Sequence, residues 1–467
     1  MNRNVLWMLL VPLMVMMIGK MYPAQAGAND QSVSPDLNAI RVLDLTTAGK
    51  IALADNPSLQ AAQARVIQAK ERVLQARSTY WPWLDATASA SRAALSDNDY
   101  QTNLAYARQF SPTATVKDPE EYYKTQLAAS WVLFNGFERK FANAAARYGE
   151  SQSESARQEA KRLLLAAVAA SYFAAQLALE NISIAKADET FNQRQLLEAK
   201  VRRQVGTGSL SDELNFEIRV NSAKTERIEA ERVYESAMFG LAALLGIPEA
   251  TFPDGLKLAE LENETPAELS PPEPEPLIDY ARLHRPDILQ NDFALKQAAA
   301  ETKIARARFF PTVNLSASVD GDRSGNARFE QEDFGNTIGA YLSYNLFAGG
   351  ADRAKLNEAK AKQTEAEKTL QNLMIQITSE VHTAVSKLNS VQNQVVLQRS
   401  NTALVRRARD LVEKEYAAGQ GSLVRLNEAQ RDLITAQSRL SLALVSLRQA
   451  WFDLETVTGQ TLLTFAD

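Results

Sequence analysis

The chain has 467 residues, enough for more than one ordinary domain, and its 56 acidic and 51 basic residues give a formal net charge of −5. This acidic balance provides no electrostatic basis for binding nucleic acid. Because the chain contains no cysteine, disulfide bridges, thiolate metal sites and a cysteine nucleophile are excluded.

Residues 1–26 have the composition of a secretory signal peptide. Arg3 gives a positive start, residues 5–19 are an apolar stretch, and Ala24 and Ala26 form an A-x-A cleavage site. A transmembrane anchor is the alternative, but a spanning helix needs about 20 apolar residues, which is more than this stretch provides. We therefore predict that this segment is removed and that the protein is exported.

The remaining chain contains the same series of landmarks twice. Pro57 and Pro286 lie 229 positions apart, as do Pro82 and Pro311. Later landmarks lie 213 positions apart, which implies 16 extra residues in the first copy before Leu133. The later pairs are Leu133-Phe134 with Leu346-Phe347, Gly206-x-Gly208-Ser209-Leu210 with Gly419-x-Gly421-Ser422-Leu423, and Gly246 with Gly459.

This repetition predicts two structural repeats, residues 27–260 and residues 277–467. Residues 261–276, between them, are rich in proline, which is typical of a stiff polar linker. Each repeat is predicted to begin with a helix, residues 58–81 and 287–310, because these stretches contain no Gly or Pro. A proline follows each helix and prevents its continuation.

A strand hairpin follows in each repeat, at about 83–134 and about 312–347. Apolar residues alternate with polar ones here, which is the pattern of strands with two different faces. In the second repeat the apolar set is Val313, Leu315, Ala317 and Val319, and the polar set is Asn314, Ser316, Ser318 and Asp320. The connections at the far strand ends, about 93–121 and 323–335, are long, polar and rich in turn residues, as external loops of outer-membrane barrels are.

A long helical hairpin ends each repeat, at about 137–245 and about 351–458. Residues 351–418 contain no Gly or Pro, so we predict a helix roughly 100 Å long. The returning helix and the opening helix together match this length. We therefore expect these two shorter helices to stack end to end beside the long one.

If the two-faced strands enter a membrane, they need partners from other chains. A soluble two-layer sheet with one wet side is the alternative, and it is disfavoured because no separate amphipathic set would cover the apolar face. Four strands are too few for a membrane barrel, which has about eight at least, and open sheet edges in lipid cost several kcal/mol per unpaired group. Aromatic residues cluster at the helix-side ends of the strands, as a membrane-interface belt requires. A small core at the helix–strand junction is the alternative. The cluster comprises Tyr80, Trp81, Trp83, Trp131, Phe134, Phe309, Phe310 and Phe347.

Taken together, these motifs resemble the TolC family of outer-membrane efflux proteins over residues 45–459. The shared features are the N/R-P opening of each copy, the aromatic-proline start of each hairpin, the L-F-x-G end of each hairpin, and the G-x-x-S turn. The resemblance implies a fold that is mainly α with a β part: an internally duplicated, long-helix α-barrel in the periplasm, and four strands contributed to a trimeric transmembrane β-barrel.

The resemblance also implies the function of an outer-membrane exit duct in a tripartite efflux pump or a type I secretion system. The expected partners are two further copies of the chain, a periplasmic adaptor, a proton-driven or ATP-driven inner-membrane transporter, and outer-membrane lipid. The duct itself is expected to be neither an enzyme nor a cofactor-binding protein.

The family's turn motif can be transferred to this chain at the two glycine turns, which we predict to be periplasmic tips that contact the adaptor or form a gate. Arg425 stands where the family usually has Asp, so we expect no strongly acidic ring, although Glu428 remains. Glycine suits a helix end, and Ser211 and Ser422 are expected to cap the following helices. The predicted tip residues are Gly206, Gly208, Ser209, Asp212, Leu214, Tyr416, Gly419, Gly421, Ser422, Arg425 and Glu428.

Two other functional classes compete with the duct. An exported coiled-coil scaffold or adhesin would explain the long helices and the signal peptide, but not the two-faced strands. A periplasmic enzyme would need a catalytic constellation that the sequence lacks. His284 and His382 have no second ligand at metal spacing, so no metal site is predicted. Scarce methionine outside the signal peptide argues against copper or silver export.

Overall fold

The computed structural model describes residues 37–465, and the predicted signal peptide lies outside the described residues. This part is mainly helical with one four-stranded sheet, which confirms the expected mainly α class with a β part. The first half contains, in order, β1 (Val42–Leu43), α1 (Leu45–Asp55), α2 (Pro57–Ser78), β2 (Trp83–Ala93), α3 (Asp97–Phe110), β3 (Glu120–Asn135), α4 (Glu138–Gln204), α5 (Leu210–Leu244) and β4 (Lys257–Leu258). The second half contains α6 (Pro274–His284), α7 (Pro286–Ala307), β5 (Thr312–Ser324), β6 (Phe334–Ser343), α8 (Ala351–Ala417), α9 (Leu423–Thr458) and α10 (Thr461–Thr464).

The two long helices, α4 and α8, contain 67 residues each. At a rise of 1.5 Å per residue, each is roughly 100 Å long, as predicted for the second. Helix α4 continues through Gly149, since one glycine in a long helix costs only about 1 kcal/mol. Both helices begin directly after residues with positive φ, Phe137 and Gly350, which turn the chain from sheet to helix.

The returning and opening helices of each half meet end to end. Asn56 Nδ2 donates to the carbonyl oxygen of Leu244 at 2.8 Å, at the end of α5. Arg285 occupies the equivalent position in the second half and donates to the carbonyl oxygen of Val457 at 3.0 Å, near the end of α9. Carbonyls in a last helical turn lack partners within the helix. The residue before each opening proline therefore joins the two helices.

Helices α4, α8 and their shorter partners lie side by side in one layer. Near the glycine turns the order of neighbours is α5, α4, α9, α8, and near the sheet it is α2, α4, α7, α8. Helix α8 therefore forms one edge of the layer throughout. The other edge is formed by α2 followed by α5.

Three clusters of buried side chains hold this layer together. The first lies between the chain's first strand and α4, the second lies between α8 and α9, and the third lies near the glycine turns. They are represented by Leu43, Ile51 and Leu241; by Ile377, Leu388 and Leu447; and by Phe191, Phe216 and Leu426.

Helix α4 contains a stretch that is long and apolar enough to span a membrane by composition. Half of that stretch is buried within the protein. Its residues Leu165, Val168 and Tyr172 fill the first core cluster, and the Tyr172 hydroxyl donates to the carbonyl oxygen of Leu43 at 3.2 Å. The apolar composition of α4 is therefore explained by its place in the core.

The sheet is antiparallel throughout, in the order β2-β3-β5-β6. Its pairing puts Leu84, Leu127 and Ala317 on one face and Asp85, Gln126 and Asp320 on the other. The apolar face follows the alternation predicted from the sequence. On the polar face, Gln126 Nε2 donates to Asp320 at 2.6 Å, and Lys124 pairs with Asp322 at 3.2 Å.

Three segments differ from the sequence expectations. The connection at 93–121 contains a helix, α3, which Ser96 caps through a bond from the Asp99 amide. The opening helices end at Ser78 and Ala307, three residues before the predicted ends at 81 and 310. The predicted last residues directly precede Pro82 and Pro311, and a residue before proline is disfavoured in the α-helical conformation. Part of the predicted linker 261–276 belongs to α6, since Pro274 is favourable at a first helical position.

The last strand is also shorter than the predicted hairpin. Strand β6 ends at Ser343, which pairs with Thr312, the first residue of β5. Pro311 precedes Thr312 and has no amide hydrogen to continue the ladder. Phe347, which is predicted at the strand end, therefore lies four residues beyond it.

Candidate functional site at the helical tip

The tip consists of two turns, residues 205–209 and 418–422, and the helix ends beside them. Gly206 and Gly419 have φ values of +78° and +75°, which favour glycine at a helix end. In the first turn the Thr207 amide donates to the carbonyl oxygen of Arg202 at 2.9 Å. In the second turn Gln420 donates to Glu415 in the same way, so the two turns share one hydrogen-bond pattern.

The second glycine of each turn is required because the backbone of the preceding helix lies close to its Cα atom. A Cβ atom at Gly208 would lie 2.8 Å from the amide nitrogen of Arg203. At Gly421 it would lie 3.0 Å from the amide nitrogen of Tyr416. In each turn, the first glycine is therefore needed for its positive φ, and the second is needed because the neighbouring backbone leaves no room for a Cβ atom.

The helices that leave the tip are capped by serines. Ser422 accepts a hydrogen bond from the Arg425 amide at 3.3 Å, as expected. In the first turn the cap is Ser209, not the predicted Ser211, because the Ser211 amide donates to the Ser209 hydroxyl at 3.0 Å. Asp212 lies in the first turn of α5, where a negative charge suits the helix dipole.

The two turns contact each other through a small aromatic cluster. The rings of Phe216 and Tyr416 meet edge to face with centroids 6.2 Å apart, and Phe216 is fully buried. The guanidinium of Arg202 lies 5.3 Å from the Tyr416 ring centroid. Asn427 Nδ2 donates to Asn215 Oδ1 at 3.0 Å, which links α9 to α5. These contacts join the first helical hairpin to the second.

The charges at the tip are largely paired. Arg203 and the buried Glu213 approach to 2.5 Å, and Arg425 pairs with Glu415 at 3.1 Å. Glu428, one helical turn beyond Arg425, is exposed, as is Leu214. Burial raises the pKa of the Tyr416 hydroxyl, and the nearby Asp212 carboxylate raises it further against the opposing effect of Arg202. Tyr416 is therefore neutral at physiological pH.

A second set of contacts joins the two hairpins above the tip. Gln430 Nε2 donates to Asp188 at 2.7 Å, and Glu413 accepts from both Arg194 and Arg409, at 2.6 and 2.8 Å. Burial raises the pKa of the Asp188 carboxyl, although Gln430 opposes this shift through its hydrogen bond.

Sequence reasoning missed Phe216, Asn215 and Asp188 as contacts between the hairpins. One signal could have found the first. Phe216 is the single aromatic residue in 195–225, and Tyr416 is the single aromatic residue in 405–430. A lone aromatic beside each turn of a polar helical hairpin indicates a contact between the turns.

The predicted belt aromatics lie at the junction of sheet and helices, but not all on one face. Trp131 Nε1 donates to the carbonyl oxygen of Tyr80 at 2.9 Å, and the Arg139 guanidinium lies 5.1 Å from the Tyr80 ring. Phe134 meets Phe137 edge to face at 5.4 Å. Trp81, Phe309, Phe310 and Phe347 are exposed, and Phe347 is 86% exposed.

Trp83 is a correction to the predicted belt. It pairs with Ser130 and alternates with Leu84, so it lies on the polar face of the sheet with Asp85. Trp131 pairs with Leu315 on the apolar face. Because strand side chains alternate between faces, the two tryptophans lie on opposite faces of the sheet.

No group of three or more His, Asp or Glu side chains in residues 37–465 is arranged to hold a metal ion. His284 stacks on Tyr280, with ring centroids 4.0 Å apart, and its Nδ1 lies 2.9 Å from the Tyr280 carbonyl oxygen.

Comparison with known proteins places this fold among outer-membrane channels. The family described as outer membrane efflux protein matches residues 49–247 and 277–460. The chain is 27% identical over 407 residues to the pyoverdine export outer membrane protein OpmQ of Pseudomonas aeruginosa, covering 85% of this chain and 80% of OpmQ. It is 27% identical over 446 residues to protein CyaE of Bordetella pertussis, covering 94% of this chain and 89% of CyaE.

Solved structures show the same fold. The outer membrane channel CmeC of Campylobacter jejuni matches with a TM-score of 0.75 at 19% identity, covering 89% of this chain and 85% of CmeC. The outer membrane channel MtrE of Neisseria gonorrhoeae matches with a TM-score of 0.71 at 24% identity, covering 89% and 88%. Because the family match covers more than half of the sequence, this chain belongs to the outer membrane efflux protein family, whose members lie in the outer membrane and act in efflux and secretion.

Proposed function

We propose that three copies of the chain form the outer-membrane exit duct of a tripartite efflux pump or a type I secretion system. The duct conducts substrates passively from periplasm to exterior. A periplasmic adaptor and an inner-membrane transporter, driven by protons or ATP, supply the energy. The observation that carries this proposal is that the sheet and the helical layer each end in two open edges with exposed apolar residues.

The edges of the sheet are strands β2 and β6. Every residue of β2 is exposed, and Ile338 and Leu342 of β6 are exposed by 68% and 71%. In lipid an open edge would leave backbone groups unpaired at several kcal/mol each. Pairing β6 of one copy with β2 of the next removes both edges, with the apolar face toward lipid and the polar face toward the pore.

The edges of the helical layer carry apolar stripes. On α8, four residues that are at least half exposed fall within an arc of about 40° at 3.6 residues per turn: Ile375, Leu397, Leu404 and Leu411. On α5, four more fall within about 80°: Leu214, Ile218, Ile228 and Phe239. Exposed apolar patches of this kind mark interaction sites. A neighbouring copy, which presents the opposite edge, covers both stripes.

The tip is proposed as the periplasmic entrance, which contacts the adaptor and opens when the transporter complex docks. Its position supports this role, because it lies at the end of helices roughly 100 Å long. The contacts of Phe216 and Tyr416 hold the two hairpins together in the described state. Arg425 and Glu428 put opposite charges near one another, so the entrance is not a uniformly acidic ring.

Relatives of this chain are named for different cargo: pyoverdine for OpmQ, alkaline protease for AprF of Pseudomonas aeruginosa (26% identical), and cations for CusC of Escherichia coli (26% identical). For this chain we propose a duct without a metal-binding relay. Only Met238 and Met374 lie outside the predicted signal peptide, which offers few soft ligands. The duct performs no catalytic step.

Planar-bilayer recording of protein extracted from outer membranes tests this function. We expect discrete channel conductance, and a change in conductance when charge is altered by Arg425→Glu or Glu428→Gln. Unchanged conductance in both variants would refute the placement of the periplasmic entrance at the tip. Full solubility of the wild-type protein without detergent would instead indicate an exported coiled-coil scaffold or adhesin.

A further inference from the structure

The junction between sheet and helices carries an excess of positive charge. Seven basic and two acidic residues lie within the last or first helical turn beside the strands, in residues 75–82, 138–142, 304–311 and 351–355. The opposite end of the sheet has the reverse excess, with ten acidic and four basic residues in 94–121 and 320–333. The basic excess is therefore confined to the helix-side end.

Most of these basic side chains have no carboxylate partner. Within residues 37–465, no ion pair involves Arg77, Lys140, Arg306 or Arg353, and all four are exposed. Arg308 is half exposed and reaches Asp352 only at 3.9 Å. These four charges lie on four different helix ends, those of α2, α4, α7 and α8, and in the described part of the chain none of them forms an ion pair that would hold the helices together.

The four helix ends converge at one level. The Arg139 guanidinium donates to the carbonyl oxygens of Thr79 and Leu133, at 3.3 and 2.8 Å, which ties the end of α2 to the start of α4. A Cβ atom at Gly136 would lie 2.8 Å from Phe310 Cβ, so the end of α7 also abuts this point. The basic residues thus lie at the same level as Tyr80, Trp81 and Phe310.

We propose that this junction binds the anionic headgroups of phospholipids in the periplasmic leaflet of the outer membrane. Aromatic side chains favour the level of the headgroups, and lysine or arginine at that level attracts anionic lipid. The two features coincide here, and both are exposed. The inference rests on the outer-membrane barrel proposed above, and it adds the class of lipid that surrounds the base of that barrel.

The tryptophans supply a local probe. Trp81, Trp83 and Trp131 lie at the junction, and Trp451 is the one other tryptophan outside the predicted signal peptide. Brominated lipid quenches tryptophan fluorescence at contact. Full-length mature protein in phosphatidylcholine vesicles is titrated with brominated phosphatidylglycerol or brominated phosphatidylcholine, which gives the relative binding constant of the two lipids at the junction.

We expect phosphatidylglycerol to be preferred by about fivefold for each arginine that contacts a headgroup. The triple variant Arg77→Gln, Arg306→Gln, Arg308→Gln should lower the ratio by at least about fivefold, although Lys140 and Arg353 remain. Salt at 1 M, where the screening length is about 3 Å, should bring the ratio close to one. The control removes three exposed arginines far from the sheet, Arg406, Arg431 and Arg439, and should keep the wild-type ratio.

Equal quenching by the two lipids in the wild-type protein would overturn the inference, as would an equal loss of preference in the control variant. Channel conductance is recorded from the same vesicle preparations. Conductance with no lipid preference refutes the lipid site alone, whereas the absence of conductance in every lipid refutes the duct.

Discussion

Phe216 is the buried side chain at the centre of the contact between the two tip turns. Its replacement by alanine removes a fully buried ring from a cluster that includes Phe191, Val412 and Leu426. Phe→Ala at such a site costs about 3–5 kcal/mol, and the edge-to-face pair with Tyr416 adds about 0.5–1.5 kcal/mol. Since this contact holds the hairpins together, most of that free energy is lost from the arrangement in which the two turns touch.

A loss of 3 kcal/mol shifts a local opening equilibrium by roughly a hundredfold, at 1.4 kcal/mol for each factor of ten. We therefore expect Phe216→Ala to raise the single-channel conductance, or the fraction of time spent in the higher-conductance state, in planar bilayers. The variant should still form channels, because the sheet and the edge stripes are unchanged.

The matched control is Phe173→Ala. Phe173 is also buried, but it lies in the first core cluster, far from the tip. It should lower the temperature at which the oligomer dissociates without raising conductance. Unchanged conductance in Phe216→Ala, or an equal rise in Phe173→Ala, would refute the role given to the tip contact.

Three further predictions concern the junction, the helix joints and the hairpin contact. Trp131→Phe loses the bond to the Tyr80 carbonyl, worth about 1 kcal/mol, and should lower the yield of membrane-inserted oligomer, whereas Trp83→Phe on the polar face should not. Arg285→Met leaves Asp287 and Glu380 without their partner and should destabilise the oligomer by about 3–5 kcal/mol. Asn56→Ala should cost only about 1 kcal/mol. If heat-dissociation assays gave the opposite order, the role of Arg285 in joining the two helices would be refuted. Burial raises the pKa of the Asp188 carboxyl in the folded protein, so the stability it contributes is full at low pH and is lost as pH rises through that pKa. Asp188→Asn should therefore reduce the difference in stability between pH 4 and pH 7. An unchanged difference would refute a contribution from Asp188.

The sequence predicts the helices and strands well because their signals are local. A run without Gly or Pro predicts α8, the internal repeat predicts its counterpart α4, and alternation predicts the faces of the sheet. The duplicated N/R-P opening is visible in the sequence, but its purpose is not. Only the structure shows that Asn56 and Arg285 both reach carbonyls at the end of the returning helix.

The site is less predictable because its contacts are distant in the chain. Phe216 and Tyr416 meet across 200 residues, and no local pattern pairs them. Trp83 and Trp131 look equivalent as aromatics near a proline or a strand end. Register decides their faces, since one residue of offset moves a side chain from the apolar face to the polar face.

We propose that the open edges of the sheet and of the helical layer are closed only by further copies of the chain. Native mass spectrometry of protein extracted from outer membranes in mild detergent measures this assembly. We expect a species with the mass of three mature chains, and its loss when Leu397, Leu404 and Leu411 are replaced together by glutamate on the α8 edge. A stable single chain in the wild-type extract, or three-chain assembly that survives this replacement, would contradict it.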